Sequence, residues 1–157
     1  MAAQALTVWR ITTRRFADQA FSGEGARLYG GRWNRVGQPL IYAAQSRSLA
    51  LLEMLVQDAP LRAHYVLIPA QLPETVSTET LDCRVLPKTW RTHAGRQALQ
   101  NLGATWLQDL RSCVLAVPSA VVPAELNFLI NPRHPDFHRI VVGQAETLET
   151  DLRLRSA

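Results

Sequence analysis

The longest apolar run of the chain, Leu49 to Val56, carries a carboxylate, Glu53, in its middle. That placement limits what the sequence can build. The run is far too short to span a bilayer, so protein must cover its apolar side chains. Wound as a helix, it gives Glu53 the near neighbours Leu49, Ala50, Val56 and Gln57. A carboxylate among such residues is costly unless it is paired, reaches water or is put to use. An edge glutamate that meets water or an arginine satisfies this, and so does a working carboxylate; the run alone does not choose.

The other apolar segments are short and closed by turn residues. Leu6 to Ile11 alternates as an opening strand, and Leu40 to Ala44, after Pro39, reads as a buried strand. Ser46 or Ser48 caps a helix running to about Asp58, before Pro60. His64 to Leu72 is a further strand, and Pro73 to about Arg91 shows only weak periodicity. A long helix is expected over Thr92 to Leu110, with Ala98, Leu102, Trp106 and Leu110 on or near one face. Ser112 to Val117 is a strand ending at Pro118, Asn127 to Ile130 a short apolar piece, and Arg139 to Val142 a last strand. Strands mixed with two or three helices, in no strict βαβ rhythm, predict an α+β fold with a mixed or antiparallel sheet core. No repeat or linker divides the chain, so residues 1–157 are expected to form one domain with a core over about 6–145.

Composition excludes several classes. The 157 residues are 47% hydrophobic and 19% charged, which is globular rather than disordered. The N-terminal MAAQALTVWRITTRR lacks the apolar stretch of a signal peptide, so a cytoplasmic protein is the expectation. Cys83 and Cys113 form no CxxC motif and read as ordinary thiols. His134 and His138 are four apart, but Pro135 between them spoils a helical zinc pair, and no metal site is expected. The net charge is +4, and sixteen of the seventeen basic residues are arginine, whose planar fork suits phosphate or carboxylate. These arginines are scattered rather than gathered in a stripe, which argues against direct nucleic-acid binding.

Chemistry has few places to sit. The stretch Gly23 to Asn34 (GEGARLYGGRWN) matches neither the P-loop nor GxGxxG, and taken alone reads as a surface loop with an exposed arginine. Tyr42 is either a core aromatic or a ring offered to a flat ligand. Ser119 follows Pro118 as a turn or cap residue, with no G-x-S-x-G around it, which excludes a serine hydrolase of that type.

Taken in order, four stretches resemble the RES-domain family, named for arginine, glutamate and serine positions of its active site. They are VWRI at Val8 to Ile11, ARLYGGRWN at Ala26 to Asn34, and LIYAAQSRSLALLE at Leu40 to Glu53. The fourth combines VPS at Val117 to Ser119 with ELNFLINPRHPDF at Glu125 to Phe137. The resemblance implies a core like that of diphtheria-toxin-type ADP-ribosyltransferases and a bacterial type II toxin partnered by an Xre-type helix-turn-helix antitoxin. NAD⁺ would be the substrate, with no permanently bound cofactor. Residue by residue, it implies Arg32, Tyr42, Glu53 and Ser119 as the catalytic set, with Tyr29, Gly31 and Asn127 as further NAD⁺ contacts. Glu53 would stabilise positive charge on the ribose, Arg32 would hold the pyrophosphate and Tyr42 would stack on the nicotinamide or ribose. Ser119 would bond the carboxamide or a ribose hydroxyl. Water or phosphate is the expected acceptor, and transfer to a host protein the alternative. A toxin directed at nucleic acid is a more distant reading, as is an inactive binding module. Nucleic acid would be met only through the antitoxin, and the helix faces leave a homodimer open.

Overall fold

A computed structural model describes residues 4–155, so the ends of the expected domain, residues 1–3 and 156–157, lie outside the described residues. The strands are β1 (Leu6–Thr13), β2 (Ile41–Ala44), β3 (Tyr65–Leu72), β4 (Thr78–Thr80), β5 (Val114–Pro118), β6 (Leu126–Ile130), β7 (Val141–Val142) and β8 (Glu146–Thr147). They form one sheet in the order β4-β5-β6-β2-β1-β3-β7, with β8 pairing the same edge of the chain's third strand as β7 does, further along it. Every pairing is antiparallel except β4 with β5. The helices are α1 (Glu24–Tyr29), α2 (Arg47–Leu55) and α3 (Arg96–Asp109). This is the α+β architecture, with a mixed sheet and flanking helices.

Strand alternation divides the core between the two faces. Val8, Ile41, Ala43, Ala70, Val114, Ala116, Phe128 and Ile130 line one face, beneath Phe21 and Phe137. The other face carries two clusters. Leu115, Val117 and Leu129 pack with Trp33, Trp90 and the α3 residues Leu99 and Trp106. Ala44 and Leu67 pack with Leu49 and Ala50 of α2. The boundary between these clusters crosses β2 and β6, where Tyr42 is opposite Leu129 and Ala44 is opposite Asn127.

α2 forms where the sequence predicts it. Ser46 is its N-cap, accepting from the Leu49 amide at 3.1 Å, and the helix ends at Leu55 rather than near Asp58. Three expectations are corrected. The glycine-rich stretch is not all loop: Glu24–Tyr29 is helical between Gly23 and Gly30, both at positive φ, which lets the chain enter and leave a six-residue helix sharply. The long helix starts at Arg96, after a 3-10 turn at His93–Gly95, and buries Leu99, Gly103 and Trp106. Leu102 and Leu110, expected inside, are 37% and 44% exposed. The rotation follows from Gly103, where an added Cβ would lie 1.8 Å from the Trp33 carbonyl oxygen. Only a residue without a side chain allows α3 that close to the Trp33 loop. The expected last strand over Arg139 to Val142 is reduced to Val141–Val142, because Pro135–Arg139 forms a 3-10 turn. β4 and β8, three and two residues long, carry no periodicity of their own and exist through their neighbours.

No helix among the described residues is long and apolar enough to cross a membrane.

Candidate active site

Glu53 projects from α2 toward the start of β6 and the end of β5. Its Oε1 accepts from the Ser119 hydroxyl at 2.6 Å and from the Asn127 amide at 2.7 Å. No hydrogen bond from a described residue reaches its other oxygen, and that oxygen is not sealed in the protein. The two readings of the carboxylate thereby separate. Glu53 pairs with no arginine among the described residues; neutral donors fix one oxygen and the other is left free to face a ligand.

Ser119 is fully buried, and its hydroxyl is saturated. While donating to Glu53 it accepts from the Val121 and Val122 amides at 3.1 and 3.0 Å. A hydroxyl has one donor and two acceptor positions, and all three are taken. The expected bond from Ser119 to substrate has no capacity left to form; this serine orients the carboxylate instead.

Tyr42 lies on the same sheet face, with its hydroxyl turned into the protein. It donates to Asn34 Oδ1 at 2.6 Å and accepts from the Trp33 amide at 3.0 Å. Burial pushes its pKa far above the ordinary phenol value, against the opposing pull of the Trp33 amide bond and the positive charges of Arg96 and Arg32, so the phenol stays neutral. Asn34, fully buried, also directs its amide group to the carbonyls of Ala26, Arg35 and Gln38. It ties the loop after α1 to itself and to the tyrosine. Gln100 of α3 donates to the Gly31 and Asn34 carbonyls at 3.0 and 3.2 Å, clamping the same loop from outside. At Gly31 a Cβ would lie 2.6 Å from the Tyr42 hydroxyl, so the loop can pass only as glycine. Arg32 is thus presented by a rigid turn, with Nη1 donating to the Trp90 carbonyl at 3.1 Å and its other donors meeting no described residue.

Arg10 was not among the residues singled out by sequence. It sits in the middle of β1, where β1 and β2 pair only at Trp9 and Ala44, and its Nη1 donates at 2.9 Å to the Tyr42 carbonyl. Its Nε is buried without a partner among the described residues, and burial lowers its pKa. Neither Arg10, Arg32 nor Arg96 forms an ion pair with a described residue. The sequence signal was an arginine inside an otherwise apolar strand, VWRI.

The structure therefore brings Glu53, Ser119 and Asn127 into direct contact and ties Arg32 to Tyr42 through the Trp33–Asn34 turn. Tyr29 stands apart, 82% exposed at the end of α1. An open groove of about 790 Å³ between β4 and α3, reaching Leu81, Trp106 and Leu115, is separate; none of the cluster residues lines it. Among the described residues no group of His, Cys, Asp or Glu could hold a metal ion.

The family model of the RES domain matches residues 7–151. The chain belongs to the RES family. Its RES relatives include a protein of Photorhabdus laumondii named Toxin Res, 38% identical over 138 residues, which are 87% of this chain and 88% of that protein. A Sphingobium protein named Prs ADP-ribosylating toxin is 40% identical over 134 residues, covering 82% of this chain and 83% of its own length. The fold is shared with a chain in the M. tuberculosis MbcT–MbcA toxin–antitoxin complex, at a TM-score of 0.74 and 20% identity over 94% of this chain and 86% of that one. Of the RES motifs read from sequence, GGRWN and LIYAA pack together through Trp33 and Tyr42, and the LALLE helix packs through Leu49 and Ala50 on the neighbouring cluster of the same sheet face.

Proposed function

We propose that this RES protein is the toxin of a toxin–antitoxin pair and that it breaks the nicotinamide–ribose bond of NAD⁺. The observation that carries the reading is a lone carboxylate, held by neutral donors with one oxygen free, on the sheet face that also carries Tyr42 and the turn presenting Arg32, an arginine that forms no ion pair with a described residue. Such a set fits a ligand with a pyrophosphate at one end and developing positive charge at the other.

The chemistry needs one carboxylate. When the bond between ribose C1′ and the nicotinamide nitrogen breaks, both electrons go to the ring nitrogen and neutralise the pyridinium. The leaving group departs neutral, so no general acid is required, in contrast to ordinary glycoside cleavage with its two carboxyl groups. Positive charge grows on the ribose ring, and the free Glu53 oxygen stabilises it. Ser119 and Asn127 keep that carboxylate in place, while Arg32 holds the pyrophosphate. The Tyr42 ring supplies a flat surface, its hydroxyl being committed to Asn34 and Trp33. Water, losing a proton as it adds to C1′, or phosphate completes the reaction. Transfer to a protein side chain is the second reading, favoured by the ADP-ribosylating name of the Sphingobium relative.

The relatives named Toxin Res and the toxin–antitoxin complex that shares the fold support a neutralising partner, for which the family resemblance supplies the Xre type. Calorimetric titration of NAD⁺ tests the division of labour. Glu53→Ala is expected to bind nearly as the parent does while losing turnover, and Arg32→Ala to bind at least about tenfold more weakly. Equal binding by the two variants would sink the assignment.

A further inference from the structure

We infer that the protein has a second anion site, lined by none of the Glu53 cluster residues, that takes a single tetrahedral oxyanion such as inorganic phosphate between the end of β1 and the C-terminal segment. It does not depend on the reading of the Glu53 site.

The site is a small cavity of about 40 Å³, lined by Arg14, His64 and Arg155, by Thr147 and Thr150, and by the rims of Leu61, Ala63, Tyr65 and Leu148. No aspartate or glutamate is among these residues. Three segments far apart in sequence bring their cationic or imidazole groups to one small space, and backbone bonds hold each there. The Arg14 amide donates to the His64 carbonyl at 2.8 Å, placing the two side by side. The Leu61 amide donates to the Leu154 carbonyl at 2.9 Å, and Leu61 forms a parallel bridge with Arg155. The Leu148 amide donates to the Tyr65 carbonyl at 3.2 Å, which sets Thr147 and Thr150 at the rim.

The charge balance points to a ligand. Arg14 and Arg155 form no ion pair with a described residue, and Arg14 spends one donor on a neutral hydroxyl, Thr147 Oγ1, at 3.2 Å. Two guanidinium groups lining one small space, with no carboxylate of a described residue between them, repel one another, and an oxyanion between them reverses the sign of that interaction. Guanidinium forks and hydroxyls are the donor set that phosphate geometry matches. The space holds a few atoms, enough for one oxyanion. An anion there would join the β1 end, the segment before β3 and residues 147–155, so its binding would tighten the C-terminal segment against the sheet.

Thermal melting of the full chain at constant ionic strength, with phosphate replacing chloride, tests the inference. A saturable rise in melting temperature is expected, and both Arg14→Gln and Arg155→Gln should weaken the apparent affinity about tenfold or more. Both residues are exposed, so each variant is expected to fold, which circular dichroism checks. Arg32→Ala should keep the saturable rise, which separates this site from phosphate entering the Glu53 cleft as an acceptor. A parent protein with no saturable rise overturns the inference. So does a rise that survives in Arg14→Gln and Arg155→Gln but vanishes in Arg32→Ala.

Discussion

The Ser119 hydroxyl lies 2.6 Å from Glu53 Oε1, and its two acceptor positions are already filled by the Val121 and Val122 amides. The serine therefore acts through the glutamate. Ser119→Ala is expected to lower kcat about 10–100-fold, the usual size for a group that orients another, with KM for NAD⁺ little changed. A large rise in KM at constant kcat would show instead that the serine touches substrate.

Tyr42→Phe keeps the ring and removes the hydroxyl that serves Asn34 and Trp33. Two buried groups then lose a partner, and a destabilisation of about 1–3 kcal/mol is expected in urea unfolding. If the ring is what the ligand meets, the folded variant retains most of its NAD⁺ affinity. Unchanged stability would contradict the bonding of the hydroxyl.

Gly103→Ala places a methyl group 1.8 Å from the Trp33 carbonyl oxygen, where backbone rather than a flexible side chain must move. A loss of at least about 1–3 kcal/mol is expected, together with weaker NAD⁺ binding, because the displaced turn carries Arg32. A variant as stable and as tight-binding as the parent would show that α3 does not set the position of that loop.

Much of this arrangement was legible in the sequence, and the limits have physical causes. α2 could be read because the Ser46 cap and the apolar run are local, and Glu53 stood out against them. Arg32 and Tyr42 were legible through their motifs. The partnership of Ser119 with Glu53 joins residues 66 apart, and no periodicity encodes it. Asn34 looked like a loop residue because its burial comes from Tyr42 and the carbonyls around it. The buried face of α3 was legible at Trp106 but not at Leu102 or Leu110, because a glycine, Gly103, makes the closest approach. The role of Arg10 depends on where β1 and β2 part, which strand pairing decides.

Asp136 accepts from the Ser77 hydroxyl at 2.8 Å and from the Ser77 amide at 3.1 Å, and these bonds, the hydroxyl first, hold its pKa below the ordinary value. A carboxyl whose folded pKa is depressed contributes stability above its unfolded value, near pH 3.9, and that stability is lost as pH falls toward the lower folded value. Acid unfolding of Asp136→Asn should accordingly show a shallower loss of stability below about pH 4 than the parent. Identical acid profiles would contradict the link between Asp136 and the segment before β4.

The most direct test of the central claim is NAD⁺ loss by purified protein, free of any partner, with product identification in buffer with and without phosphate. Glu53→Ala serves as the control. Release of nicotinamide by the parent and its loss, about 10²–10³-fold or more, in the control are expected, and the second product names the acceptor. Nicotinamide release that persists at the parent rate in Glu53→Ala, or a folded parent that releases none even with a protein acceptor supplied, would contradict the claim.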